Sequence, residues 1–164
     1  MKIRTDFVTN SSSSSFCVVT VSLNDGTSID WMGEDGDSPV FMVPSKAKQM
    51  VQEIQSVEDL AAFLVACGTK YNNTPEDLAF HQDFCSTFYQ RIQAVPDLQA
   101  VKTLHISWGE YQTDCGEAPW EGCDGEQLDF NFETKKCTVK RTPDKDFVQE
   151  MIDIYGDLFD QDME

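Results

Sequence analysis

Apolar and polar residues alternate along parts of the chain with the period of a strand, and elsewhere with that of a helix. The run FCVVTVSL at 16–23 is rich in β-branched residues and precedes an Asn-Asp-Gly turn at 24–26, which predicts a buried strand and a hairpin. The partner strand is predicted around 27–31. A further apolar run at 40–43 predicts a short third strand.

Helical signals occupy the middle and the end of the chain. The predicted helices are 45–54, 56–67, 74–94 and 142–159. Ser56 begins its helix with a weaker relative of the capping box, and Gly68 ends it. Asn73 or Thr74 caps the longest helix, which has Pro75 in its first turn, where a backbone N–H has no helical partner to lose.

Strand patterns return in the second half of the chain. Residues 104–108 have a strand pattern, and residues 128–133 alternate strictly between apolar and polar, as in a strand with one buried face. After a tight turn, 137–140 is the predicted antiparallel partner. The order of strands, helices, strands and a helix favours an α+β fold, an antiparallel sheet with helices packed mainly on one face.

Five consecutive serines, Ser11 to Ser15, precede the first predicted strand. They bury no apolar area and their hydroxyls compete for backbone hydrogen bonds, so residues 1–15 are predicted to be a flexible leader and 16–164 a single domain. The segment FVTNSSSSSF at 7–16 resembles the opening F-V-S/T-N-S-S-S-S-S-F shared by many otherwise dissimilar, mostly uncharacterised proteins of bacteria and their phages. The resemblance implies such an origin and assigns no functional residue.

Composition narrows the functional classes. The 164 residues carry 12 Lys and Arg against 29 Asp and Glu, a net charge of −17, which disfavours direct binding to nucleic acid or to an anionic membrane surface. No apolar run is long enough to cross a bilayer. Six cysteines follow an opening, MKIRTDF, that has no apolar signal segment, so we expect a cytoplasmic protein with reduced thiols.

His81 and Cys85 lie four residues apart on a predicted helix, and a cysteine beside a histidine can act as a thiolate nucleophile. The same face carries the apolar residues Leu78, Phe84, Phe88 and Ile92. Such a stripe is typical of a helix that faces the core, where a buried thiol is inert. We therefore expect His81 and Cys85 to be core residues.

Cys115 and Cys123 bracket a loop and have Asp114 and Asp124 beside them. A zinc ion bound there would need further ligands such as His105 or Cys137, because zinc takes four converging ligands and this cysteine spacing is not a usual zinc motif. We expect two loop thiols, with no bound metal and no cofactor.

Acidic residues of the last predicted helix fall at steps of three and four along one side. They are Asp146, Glu150, Asp153, Asp157 and Asp160, called here the acidic stripe. Like charges at this spacing destabilise a helix slightly. The stripe is therefore either a solvated face or a surface that binds a basic partner. A surface of the second kind could imitate the charges of a nucleic-acid backbone.

Trp120 lies in the polar loop between the two cysteines, where an exposed tryptophan can anchor a protein interface. We expect a small, acidic, non-enzymatic interaction or regulatory module that binds a basic protein partner through Trp120 and the acidic stripe. One alternative is a nucleic-acid mimic that inhibits a DNA-binding protein. The other is a small enzyme with its site in the strand and loop region 105–124.

Overall fold

The structure, a computed structural model, confirms the predicted α+β class. It describes residues 12–34, 40–68, 74–113, 124–142, 146, 147, 149–151, 153 and 154. In chain order the elements are β1 (Ser12–Leu23), β2 (Ser28–Glu34), α1 (Ala47–Gln52), α2 (Val57–Cys67), α3 (Pro75–Phe84), α4 (Ser86–Gln93), β3 (Val101–Thr113), β4 (Asp124–Asn131) and β5 (Lys136–Arg141). The described residues between 146 and 154 are also helical and are called the C-terminal helical segment.

The five strands form one sheet in the order β2-β1-β3-β4-β5, and every neighbouring pair is antiparallel. The two longest strands, β1 and β3, pair at its centre along their whole length. Each outer pair is a hairpin, because β1 leads into β2 and β4 leads into β5. The sheet therefore ends in two edge strands of different sequence, β2 and β5.

Alternation along the strands divides the sheet into two faces. Val19, Ile106 and Leu128 lie side by side on the first face and are buried with apolar residues of α1, α2 and α4 in the main core. The second face carries a mainly polar surface and, at one end, the C-terminal helical segment, whose Phe147 and Met151 are buried. Most helices thus pack on one face, as the sequence predicts.

Capping explains where the middle helices begin. The Ser56 hydroxyl accepts a hydrogen bond from the Asp59 N–H at 3.0 Å, and the Thr74 hydroxyl accepts one from the Asp77 N–H at 3.1 Å. Both caps were predicted. The single helix predicted over 74–94 is instead two, because it is interrupted at Cys85, whose backbone (φ −96°, ψ 16°) leaves the helical conformation.

Two predicted strand boundaries are corrected. β1 begins at Ser12, so its first four residues, 12–15, belong to the predicted leader. These serines pair with β3 through backbone groups, which serine supplies as well as valine does. The predicted strand 40–43 is not a strand: Phe41 makes an isolated bridge to Gly68, and its N–H donates to the Cys17 sulfur at 3.0 Å. The buried Cys17 sulfur thus accepts the hydrogen bond that a carbonyl of a neighbouring strand would accept in a sheet.

The C-terminal helical segment reaches the sheet where two glycines face each other across β3 and β4. A Cβ on Gly109 would lie 2.3 Å from the Phe16 ring, and one on Gly125 would lie 2.6 Å from the Met151 sulfur. Both distances are far below van der Waals contact. The pair of glycines therefore makes the room that Phe16 and Met151 occupy.

We expect Gly109→Ala to destabilise the protein by about 1–3 kcal/mol, the usual cost of overpacking a tight contact. Urea denaturation followed by circular dichroism measures it. Thr138→Ala, an exposed position on β5, is the control and should change the free energy of unfolding by no more than about 0.5 kcal/mol. Equal midpoints for the Gly109 variant and the wild type would contradict the packing described.

Candidate functional site

His81 and Cys85 are core residues, as predicted. Nε2 of His81 lies 2.9 Å from the Tyr89 hydroxyl, and the imidazole packs so closely on Gly68 that a Cβ there would be 2.5 Å from Nε2. Burial lowers the pKa of His81 and raises the pKa of Cys85 to about 12. A neutral histidine and a protonated, inaccessible thiol do not make a nucleophile.

The other described thiols are also free. Cys17 and Cys67 are buried and Cys137 is partly exposed, and burial raises the pKa of all three. Cys115 and Cys123 lie outside the described residues, as do Asp114 and Trp120. Among the described residues no group of three or more His, Cys, Asp or Glu side chains could hold a metal ion.

His105 pairs with Asp129 on the second face of the sheet, directly across from it in the ladder. Nδ1 of His105 lies 2.7 Å from the carboxylate, to which Nε2 of Gln127 also donates at 2.9 Å. Burial raises the pKa of Asp129, but hydrogen bonds from His105 and Gln127 outweigh this and lower it. Because half of the Asp129 side chain is exposed, water screens the pair and its contribution to stability is small.

Two grooves occur elsewhere on the described surface. One, of about 600 Å³, runs between α2 and α4, and the other, of about 390 Å³, lies at the end of the sheet beside Lys102 and Phe132. Neither is lined by His105 or Asp129. A catalytic site at 105–124 would therefore contain a histidine and a carboxylate in contact, but neither groove would provide it with a cavity for a substrate.

The acidic stripe is only partly a free surface. Asp146 and Asp153 are exposed, whereas Glu150 forms an ion pair with Lys140 of β5. Asp153 also accepts a hydrogen bond from the amide of Gln149 at 2.9 Å. Glu150 thus links the C-terminal helical segment to β5, and Asp157 and Asp160 lie outside the described residues.

Basic side chains collect at the opposite end of the molecule from β2. They are Lys46 and Lys48 of the α1 region and Lys135, Lys136, Lys140 and Arg141 of the β5 hairpin. Arg141 donates to Glu126 and to the Pro44 carbonyl. Lysines along an edge strand are a common protection against pairing with another chain. The β5 edge is therefore protected against pairing with a strand of another chain.

The β2 edge has the opposite character. Three large apolar side chains beside it are about half exposed: Met32 at 46%, Phe80 at 55% and Phe84 at 49%. The Phe84 ring contacts Trp31 of β2 edge-to-face at 5.9 Å and the Phe80 ring at 5.8 Å. Trp31, Met32, Phe80 and Phe84 are called here the β2 surface.

Sequence reasoning placed Phe84 in a core-facing stripe, and this was wrong. The turn at Cys85 separates it from Phe88 and Ile92, which remain buried on α4. Within α3 the one fully buried residue is His81, Asp77 and Leu78 are partly buried, and the other residues are exposed. The spacing of four between Phe80 and Phe84 indicates that they lie side by side on the helix, but it does not indicate that they are exposed.

Acidic groups flank the β2 surface. Asp30 is exposed on β2, and Asp83 is exposed on α3 next to Phe84. The guanidinium of Arg91, the basic group of α4, donates to the Ser28 carbonyl at 3.2 Å. An exposed apolar cluster rimmed by charge is typical of a protein interaction site.

The fold and this surface together define an acidic α+β protein with an apolar cluster beside a sheet edge. In the described part of the chain no helix is long and apolar enough to cross a membrane. Comparison of the chain with protein-family models, curated proteins and solved structures found no match.

We expect Cys85 to react with iodoacetamide at pH 8 at least about 100-fold more slowly in the folded protein than in urea, because reaction requires local unfolding. Cys17 and Cys67 should be protected in the same way, and the partly exposed Cys137 is the internal control. Mass spectrometry of the alkylated peptides measures each site. Rapid modification of Cys85 in the native state would restore the nucleophile interpretation.

Proposed function

We propose that the protein is a small, acidic, non-enzymatic interaction module that binds a basic protein partner. The observation that carries this proposal is the β2 surface, where Phe80 and Phe84 expose about half of their side chains beside an edge strand. Aromatic side chains dominate the energetics of protein interfaces. An isolated exposed phenylalanine is unremarkable, but two that contact each other beside Trp31 form an apolar patch of the kind that marks protein interaction sites.

Charge supports a basic partner. The chain has a net charge of −17, and Asp30 and Asp83 lie beside the β2 surface. Long-range attraction by such a surface raises the rate at which a basic protein finds it, and repels acidic competitors. The free, buried thiols suit a reducing compartment, so we place this interaction in the cytoplasm.

We place the main contact with the partner at the β2 surface, whereas the sequence predicted it at Trp120 and the acidic stripe. Glu150 is neutralised by Lys140, which interrupts the regular spacing of charges that a nucleic-acid mimic requires. Asp146 and Asp153 are exposed and can add an electrostatic contribution to the binding of a basic partner. The nucleic-acid mimic is therefore less well supported than the interaction module, and the enzyme alternative gains no cavity from the two described grooves.

Selection of peptides from a displayed random library on the immobilised protein tests the proposal. We expect the selected peptides to be enriched in both basic and apolar residues. The double variant Phe80→Ser, Phe84→Ser should bind them at least about tenfold more weakly, since interface aromatics commonly contribute more than 1 kcal/mol each.

Ala62→Ser, Ala66→Ser is the matched control, because it changes two exposed positions on α2, away from β2. It should leave binding unchanged. Acidic selected sequences would contradict the proposal, as would equal binding by the phenylalanine variant, or loss of binding in the alanine variant.

A further inference from the structure

Hydrogen bonding in the first hairpin determines which backbone groups of β2 face outward. The Leu23 N–H donates to the Thr27 carbonyl at 2.8 Å, so residues 23 and 27 are a hydrogen-bonded pair. In an antiparallel ladder such pairs alternate with pairs whose groups point away. From the register, Ile29, Trp31 and Gly33 bond to β1, while the N–H and C=O groups of the residues between them point outward.

Those outward groups belong to Ser28, Asp30 and Met32. The Ser28 carbonyl accepts the hydrogen bond from Arg91, in agreement with this alternation. Among the described residues no hydrogen bond is made to the backbone of Asp30 or Met32 on that side. Unpaired edge groups of this kind are a template for an additional strand.

Side chains on both sides of this edge define what an additional strand would carry. Trp31 points to the first face of the sheet, where its ring contacts Phe84, and Phe84 in turn contacts Phe80. Asp30 and Met32 point to the second face and are exposed. Alternate residues of an incoming strand would therefore meet aromatic rings on one face and a carboxylate beside a thioether on the other.

We infer that the partner binds by strand addition: an extended segment in which apolar and basic residues alternate pairs antiparallel or parallel with β2. Its apolar side chains cover Phe84 and Phe80, and a lysine or arginine reaches Asp30 while its methylene groups lie on Met32. This inference rests on the proposed function, whose surface it shares, and adds the conformation and the sequence pattern of the ligand.

Charge argues against a second copy of the chain as the occupant. Antiparallel pairing of β2 with β2 of another molecule in the register centred on Asp30 would place two Asp30 carboxylates opposite each other, and like charges across strands are destabilising. In a pair of β2 with β5 of another molecule, Lys140 and Arg141 could approach Asp30 only at the expense of their own ion pairs. Lys140 pairs with Glu150, and Arg141 pairs with Glu126. Two molecules of net charge −17 also repel each other.

The test uses a defined probe, a capped and fluorescently labelled peptide of about seven residues in which lysine and isoleucine alternate. A peptide with glutamate in place of lysine is the charge control, and one with N-methylated alternate residues is the hydrogen-bond control. Binding is measured by fluorescence anisotropy at about 0.15 M salt, where long-range attraction is screened. Amide hydrogen exchange on the complex then locates the contact.

We expect the lysine peptide to bind and to slow exchange of the Asp30 and Met32 amides at least about tenfold, while the two control peptides bind at least about tenfold more weakly. Met32→Pro should abolish this binding. Its N–H points away from β1, so proline is compatible with the edge, removes one outward donor and leaves the net charge unchanged. Circular dichroism and urea denaturation check that the variant is folded.

Binding of the lysine peptide without protection of Asp30 and Met32 would overturn strand addition and leave the interaction function standing. Failure of the lysine peptide to bind at all would overturn strand addition, and if the displayed library also gave no binder the interaction function would fall with it. Sedimentation of the free protein provides a further test. A dimer that Met32→Pro dissociates would show that a second copy occupies the edge.

Discussion

The antiparallel pairing of β1 with β3 is the interaction on which the rest of the structure depends. It joins the N-terminal hairpin of β1 and β2 to the strands β3, β4 and β5 across the four helices α1 to α4, and so closes the longest loop between paired strands. Its register places Val19 beside Ile106, which puts the apolar residues of both strands on one face. A shift by one residue would turn that face to solvent.

That pairing also decides which strands are edges. With β1 and β3 paired to each other, β2 pairs with the free side of β1, β4 pairs with the free side of β3, and β5 pairs with β4, so β2 and β5 end the sheet. The two edges differ in sequence. β5 carries lysines, as edges protected from pairing do, whereas β2 carries Met32 and lies beside two exposed phenylalanines. The asymmetry is the physical basis for assigning interaction to β2.

Local signals in the sequence predicted much of the fold. Alternation marked the strands, and Ser56 and Thr74 cap helices as their spacing indicates. The break at Cys85 involves neither glycine nor proline, so nothing local predicted it. The position of β2 at an edge was equally hidden, because strand order depends on contacts between residues far apart in sequence. The β2 surface therefore became visible only in three dimensions.

Amide hydrogen exchange of the free protein tests the central claim most directly, since it reads the pairing of β2 residue by residue. The account predicts an alternating pattern in which the amides of Ile29 and Trp31 exchange at least about 100-fold more slowly than those of Asp30 and Met32. Uniform protection along β2 would contradict it, because the outer edge would then already be paired and closed to a partner strand.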